Sequence, residues 1–256
     1  MNKIGLVEKL LLNKIQNEGC IHLSLIDPEN TNPKEAALIS FNLEKYGTTA
    51  IMVGGSTVAS NTLVDKVVKA IKKVVKIPVI LFPNNVTGIS KFADAVWFMS
   101  LLNSNNPLFI SGLQALAAPI IKRNNLEAIP LAYLVIGDGS TVAFVGQANV
   151  IPYEADETAL SYALAAEYLG IHFVYLEAGS GSKRPISFDM VSVVKKNLNI
   201  PVIVGGGIKD SISAATIVKA GADAIVTGTV IENDKSQQKV KEIIDEIKKL
   251  NHRHKI

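Results

Sequence analysis

The sequence predicts an α/β fold: one closed barrel of eight parallel strands with helices outside, and no full helix between strands three and four. Three observations point there. Eight short, continuously apolar runs alternate with helical patterns along the chain, as strands buried on both faces require. A length of 256 residues suits a single barrel of this kind. The chain also repeats itself: Gly47–Ser56 leads to Ile77-Pro78, Gly170–Ser180 leads to Ile200-Pro201, and thirty positions separate each leading glycine from its isoleucine. The copies begin at strands two and six, half a barrel apart, which a (β/α)8 TIM barrel accommodates better than an open doubly wound sheet. Residues 1–256 are read as one domain.

The elements follow in order. Met1–Gln16 carries Lys3, Glu8, Lys9 and Lys14 among its leucines, so it reads as an amphipathic helix and not a signal peptide. Strand one is Ile21–Asp27; Asn32-Pro33 then caps a helix that Gly47 closes. Ala50–Gly55 is strand two, and the lysines of Lys66–Lys73 mark a solvated helix face. Strand three is Pro78–Pro83. Only eleven residues, Asn84 to Asp94, lead to strand four at Ala95–Leu101, too few for a crossover helix with both loops. The outer layer should therefore have a gap beside strand three. Strand five is Ala128–Ile136, and a helix from about Glu154 ends at Gly170. Phe173–Ala178, Pro201–Gly205 and Ala224–Thr229 complete the barrel, with a helix between Asp210 and Gly221. A last helix, about Ser236–Leu250, runs into a basic tail, Asn251–Ile256, expected to be frayed.

Composition narrows the function classes. Apolar residues at 48%, charged residues at 19% and a mean hydropathy of +0.28 exclude a disordered chain. Lys plus Arg exceed Asp plus Glu by only 26 to 23, so no nucleic-acid partner is expected. A lone Cys20 excludes a disulfide framework and suits a reducing compartment. Ala95–Ile121 has no charged side chain, but Asn103–Pro107 cuts it into halves shorter than the ~20 residues of a spanning helix. No membrane insertion is expected, and the cytoplasm is the expected compartment.

Candidate chemistry gathers at the strand ends, where barrels of this kind build their sites. Asp27, beside Pro28 at the end of strand one, is either a metal ligand or the cap of its own turn. Ser56 offers a hydroxyl to the same metal or to its own backbone. Glu177 closes the apolar strand six as a general base, or as the partner of Lys183 or Arg184. Tyr175, two positions earlier, points the same way. Glycine-rich turns follow strands six, seven and eight, and Gly206, Gly207 and Gly228 favour a phosphate held by backbone N–H groups. His22 and His172 begin strands and read as packing residues.

Leu25-Ile-Asp-Pro-Glu29, Val53-Gly-Gly-Ser56, Tyr175-Leu-Glu-Ala-Gly-Ser-Gly181, Val204-Gly-Gly-Gly-Ile208 and Val226-Thr-Gly-Thr229 occur in this order. Together they resemble the geranylgeranylglyceryl phosphate synthase family, which includes the bacterial heptaprenylglyceryl phosphate synthases. The resemblance spans nearly the whole chain. It implies a prenyltransferase that joins geranylgeranyl diphosphate to the 3-hydroxyl of sn-glycerol 1-phosphate, the first ether bond of archaeal-type lipids. It implies Mg2+ on Asp27 and Ser56. It implies glycerol phosphate bound by Tyr175, Leu176, Glu177, Ala178, Gly179, Ser180 and Gly181, by Gly206 and Gly207, and by Gly228 and Thr229. Asn30 departs from the lysine expected after Asp-Pro-Glu. A prenyl tail needs an apolar groove, for which the gap beside strand three, Trp97 and Leu108–Ile121 are candidate lining. Trp97 is otherwise a core residue, and Leu108–Ile121 otherwise a subunit interface; a homo-oligomer, a dimer or an assembly of dimers, is expected. Two rivals stay open: a heptaprenyl donor within the same chemistry, and a phosphate-binding barrel isomerase or aldolase, against which no proposed strand contains a lysine. A non-catalytic barrel would show no metal-dependent turnover.

Overall fold

The computed structural model describes residues 4–58, 60–228 and 234–253. Its strands are β1 (Ile21–Ile26), β2 (Ala50–Gly55), β3 (Val79–Pro83), β4 (Ala95–Leu101), β5 (Glu127–Val135), β6 (Phe173–Glu177), β7 (Val202–Gly205) and β8 (Ala224–Thr227). They form one closed parallel barrel in chain order, with β8 pairing back to β1 through Ile21↔Ala224 and Ser24↔Thr227. The helices are α1 (Leu6–Glu18), α2 (Pro33–Tyr46), α3 (Asn61–Lys72), α4 (Leu113–Arg123), α5 (Thr141–Val145), α6 (Asp156–Tyr168), α7 (Phe188–Asn197), α8 (Ser211–Lys219) and α9 (Asp234–Arg253). The repeat places β2 opposite β6, as the half-barrel spacing requires.

Period-two alternation sorts the strand residues into two cores. Leu23, Met52, Ile80, Trp97, Leu131, Phe173 and Ile203 pack inside the barrel. Ile51, Val53, Leu81 and Val96 pack outward against α2 and α3, while Val174, Leu176, Val202 and Val204 pack outward against α6, α7 and α8. Helix α1 closes the bottom: Val7 and Leu11 join the inner core, and the Glu127 carboxylate accepts from Val7 N–H (2.9 Å) and Glu8 N–H (2.7 Å). An anion at the positive end of the helix stabilises that plug. Buried Glu8 in turn meets His172 Nδ1 at 2.6 Å, so His172 is a paired residue and not mere packing.

Sequence punctuation holds at several ends. Asn32 caps α2 through Lys34 N–H and Glu35 N–H, and Gly47 ends it in the left-handed region at φ 105°. Asp210 caps α8 through Ser213 N–H. The link from β3 to β4 holds only a three-residue 3-10 turn, Val86–Gly88, so the outer layer is open there. One expectation needs correction. The last helix runs on to Arg253, and Asn251 is tied down, its amide bonding Cys20 N–H (3.1 Å) and the Cys20 carbonyl (2.8 Å). Before α4, Leu108–Gly112 winds as a π-turn, a local widening that apolarity alone does not signal.

Candidate active site

One cavity of about 760 Å³ opens at the C-terminal mouth and runs sideways past β3 and β4. Its polar end holds Asp27, Asn30, Ser56, Asn84, Glu177, Ser180 and Lys209, with Gly181, Gly206, Gly207 and Gly228 beside them. Its apolar end is built by the gap. Val96 and Phe98 face outward from β4 and pack with Ala117 and Ile121 of α4, Phe109 packs against the inner core, and all of these line the cavity together with Leu113. The uncharged segment is therefore groove wall on this face; Leu108 and Leu116 on its other face are exposed.

Glu177 is the buried anion of the site. Its Oε1 accepts from Gly179 N–H at 2.6 Å, and the hydroxyls of Tyr175 and Tyr133 donate to the same carboxylate. Burial raises its pKa, and those three hydrogen bonds oppose the rise. Both tyrosines are pushed well above the usual phenol range, first by burial and then by the Glu177 charge. Neither basic partner expected for Glu177 is among the groups that act on it: Lys183 is exposed, and Arg184 pairs with Glu154 at 3.1 Å and stacks on the Tyr153 ring. Tyr133, on β5, was invisible in the sequence. Only pairing of Tyr133 with Tyr175 across β5 and β6 brings its ring, centroids 5.1 Å apart, into the centre.

Glycine is required around this carboxylate. Gly205 leaves no room for a Cβ against the Tyr175 hydroxyl. Gly206 sits at φ +80°, where an added Cβ would lie 2.6 Å from Glu177 Oε1 and 2.7 Å from Gly179 N. The turns after β6 and β7 thus meet at Glu177 through Gly179 and Gly206, where backbone can approach an anion.

Asp27 is half-buried at the opposite wall. Its Oδ1 accepts from Glu29 N–H (2.9 Å) and its Oδ2 from the Asn30 amide (3.2 Å), so it does cap its own turn, and Asn30 steadies it. Burial raises its pKa, the Glu29 N–H bond opposes this, and the Glu29 charge adds to the rise. No basic side chain is among the groups that shift it. A half-buried carboxylate with no cationic partner among the described residues, lining the same cavity as Ser56, suits a hard divalent cation. Among the described residues no cluster of three His, Cys, Asp or Glu side chains exists, and magnesium needs only one or two carboxylates.

Other site candidates fall differently. Leu176 and Ala178 turn their side chains outward into the helix layer, leaving only their backbone on the site side. Trp97 is buried on the inner face of β4, edge-on to Phe173 at 5.2 Å, and touches the cavity from the barrel interior and not from the outer gap. Alternation puts Val96 and Phe98 on the gap side instead. Thr229 lies outside the described residues. His22 bonds Thr48 Oγ1 (2.9 Å) and Thr227 Oγ1 (3.0 Å), and burial holds its pKa down at about 3, so the ring is a neutral strut. Among the described residues no helix is long and apolar enough to cross a membrane.

Closed parallel strands, glycine turns and two carboxylates at the C-terminal mouth define a TIM barrel with its cavity at the strand ends, here with an apolar side groove. Within that class the chain belongs to the PcrB family, whose profile matches residues 13–249. Geranylgeranylglyceryl phosphate synthase of Pyrococcus abyssi is 50% identical over 249 residues, 97% of this chain and 99% of that protein. The synthase of Nitrosopumilus maritimus is 49% identical over 95% of this chain and 97% of its own. The crystal structure of (S)-3-O-geranylgeranylglyceryl phosphate synthase from Thermoplasma acidophilum, in complex with its substrate sn-glycerol-1-phosphate, is 43% identical. It superposes with a TM-score of 0.92 and covers 96% of this chain and 100% of that one. Thiamine phosphate pyrophosphorylase from Pyrococcus furiosus, 17% identical at a TM-score of 0.57, shares the fold alone.

Proposed function

We propose that this chain transfers the geranylgeranyl group of geranylgeranyl diphosphate to the 3-hydroxyl of sn-glycerol 1-phosphate, forming an ether and releasing diphosphate. The observation that carries the reading is one continuous cavity with an anion cradle and a buried carboxylate at one end and an apolar groove at the other. Neither a sugar isomerase nor an aldolase has use for such a groove, and the strands offer no lysine for a Schiff base.

In this reading the turns at Gly206, Gly207 and Gly228 hold the acceptor's phosphate, which fixes the hydroxyl that faces Glu177. Glu177 takes the proton of that hydroxyl as its oxygen bonds to the allylic carbon, and the diphosphate leaves with the electron pair of the broken C–O bond. Tyr133 and Tyr175 hold the carboxylate in place. Asp27 and Ser56 would hold a divalent cation such as Mg2+, which when bound supplies positive charge to the departing diphosphate. The tail lies in the groove along Phe98, Phe109 and Ile121, with Trp97 at its inner end. The protein works in the cytoplasm as a homo-oligomer.

Incubation with sn-glycerol 1-phosphate, Mg2+ and diphosphates of C20 and C35 tests the reading. A geranylgeranyl ether formed in preference to the C35 product is expected. A C35 preference makes it a heptaprenyl enzyme, and no ether with any donor refutes the reading.

A further inference from the structure

The polar end of the cavity is lined by two carboxylates, Asp27 and Glu177, and each repels a phosphoryl group. Among the described residues that line the cavity, Lys209 and Lys239 are the only cations. Both are exposed, so they stand at its rim and not in its depth. Neither takes part in an ion pair among the described residues. On α9 itself, Lys241 pairs with Asp245 at 3.0 Å and Lys249 with Glu246 at 2.9 Å, while Lys239 does not pair.

Separate elements bring the two lysines to one place. Lys209 lies in the turn after β7, on the same loop as Gly206 and Gly207. That loop is pinned: Lys209 N–H donates to Ser213 Oγ at 3.2 Å, and an added Cβ at Gly207 would overlap the Arg184 carbonyl. Lys239 comes from the start of α9, the helix after β8. Its charge reaches the carboxylate of Asp210, the residue after Lys209. Asp210 is already occupied, since Ser213 N–H and Ser213 Oγ each donate to its Oδ1 at 2.8 Å. Those bonds come first in holding the Asp210 carboxyl below the usual range, and the Lys239 charge adds to them. An ammonium is a point charge with three donors on a flexible stem, so two of them on separate elements can close on one phosphoryl group. Exposed charges act through water, and their pull is strongest at low ionic strength.

We propose that Lys209 and Lys239 form a subsite at the cavity rim that captures the phosphoryl group of a substrate. This rests on the reading of the cavity as one that takes phosphorylated substrates. Lys209 shares its loop with Gly206 and Gly207, so sn-glycerol 1-phosphate is the expected ligand; the donor's diphosphate is the other source of the same chemistry. The test is calorimetry on the whole protein at low and high salt with Mg2+ fixed, titrating sn-glycerol 1-phosphate and, separately, inorganic pyrophosphate. Lys209→Gln and Lys239→Gln are each expected to raise the Kd for sn-glycerol 1-phosphate about 3- to 10-fold at low salt, and the double variant to flatten its salt dependence. Lys209→Arg and Lys239→Arg, which keep the charge, should stay within about 2-fold of wild type. A loss seen with pyrophosphate alone supports the subsite and assigns it to the donor. Glutamine variants that bind both anions as the wild type does overturn the proposal and leave the reading of the cavity standing. So does a loss that ignores salt and is not rescued by arginine, because the lysines would then act through packing. A wild type that binds neither anion overturns the reading of the cavity and the subsite with it.

Discussion

Two glycines of the anion cradle separate folding from binding. Gly206 has φ +80°, and an added Cβ would stand 2.6 Å from Glu177 Oε1, 2.7 Å from Gly179 N and 2.8 Å from Gly179 O. The left-handed backbone costs alanine about 1–2 kcal/mol, and the overlap with fixed atoms about 1–3 more. Gly206→Ala should therefore destabilise the protein by roughly 2–5 kcal/mol. Gly228 differs: its Cβ would meet Leu25 Cβ and Cδ2 at 3.6 Å, an ordinary contact, so Gly228→Ala should stay within about 0.5 kcal/mol of wild type. The new methyl nonetheless enters the cavity beside Leu25. Losing one charge-assisted N–H bond to phosphate is worth about 1.5–3 kcal/mol, which raises Kd roughly 10- to 150-fold. Urea unfolding and calorimetric titration with sn-glycerol 1-phosphate measure the two effects. Unchanged affinity in a folded Gly228→Ala protein would place the phosphate elsewhere. Wild-type stability for Gly206→Ala would refute the packing argument.

Glu177→Gln should lower kcat by about 10²–10⁴ with little change in KM for the prenyl donor; a change confined to KM for glycerol phosphate would make it a binding residue. Because burial raises the Glu177 pKa in the folded state, wild-type kcat should rise with pH around a midpoint above the ordinary glutamate value. The same shift means the folded chain binds that proton more tightly than the unfolded one. Wild-type stability should then fall, relative to Glu177→Gln, as pH rises from the ordinary value through the raised one, and parallel pH–stability curves would contradict it. Asp27→Asn should abolish metal-dependent turnover and leave the fold intact; activity unchanged across a Mg2+ titration would remove it as a ligand. Trp97→Ala should cost about 3–5 kcal/mol and admit donors longer than C20, while a folded variant with the wild-type chain preference would make Trp97 core only.

Strand positions, the half-barrel repeat and the missing crossover were legible because continuous apolar runs and an eleven-residue link leave few alternatives. The glycine turns after β6 and β7 were legible because left-handed turns and close backbone approach need glycine. What the sequence hid depends on the neighbours' register. Tyr133 reaches Glu177 only once β5 pairs with β6, and nothing in Leu131-Ala-Tyr-Leu134 marks it. Trp97 lies on the strand that borders the gap, but alternation turns it inward and gives the gap to Val96 and Phe98. Proximity in sequence offered Arg184 to Glu177, yet the tight turn at Gly179–Ser182 sends that guanidinium out to Glu154. Asn251 looked like a tail residue because its partner, Cys20, lies at the far end of the chain.

The reaction itself is tested most directly by the fate of one oxygen. Geranylgeranyl diphosphate carrying ¹⁸O in the bond from C1 to phosphorus is turned over with sn-glycerol 1-phosphate and Mg2+, and both products are weighed by mass spectrometry. Attack of the glycerol hydroxyl on the allylic carbon leaves all the label in diphosphate and none in the ether. Label in the lipid product, or release of diphosphate without an ether, would contradict the account.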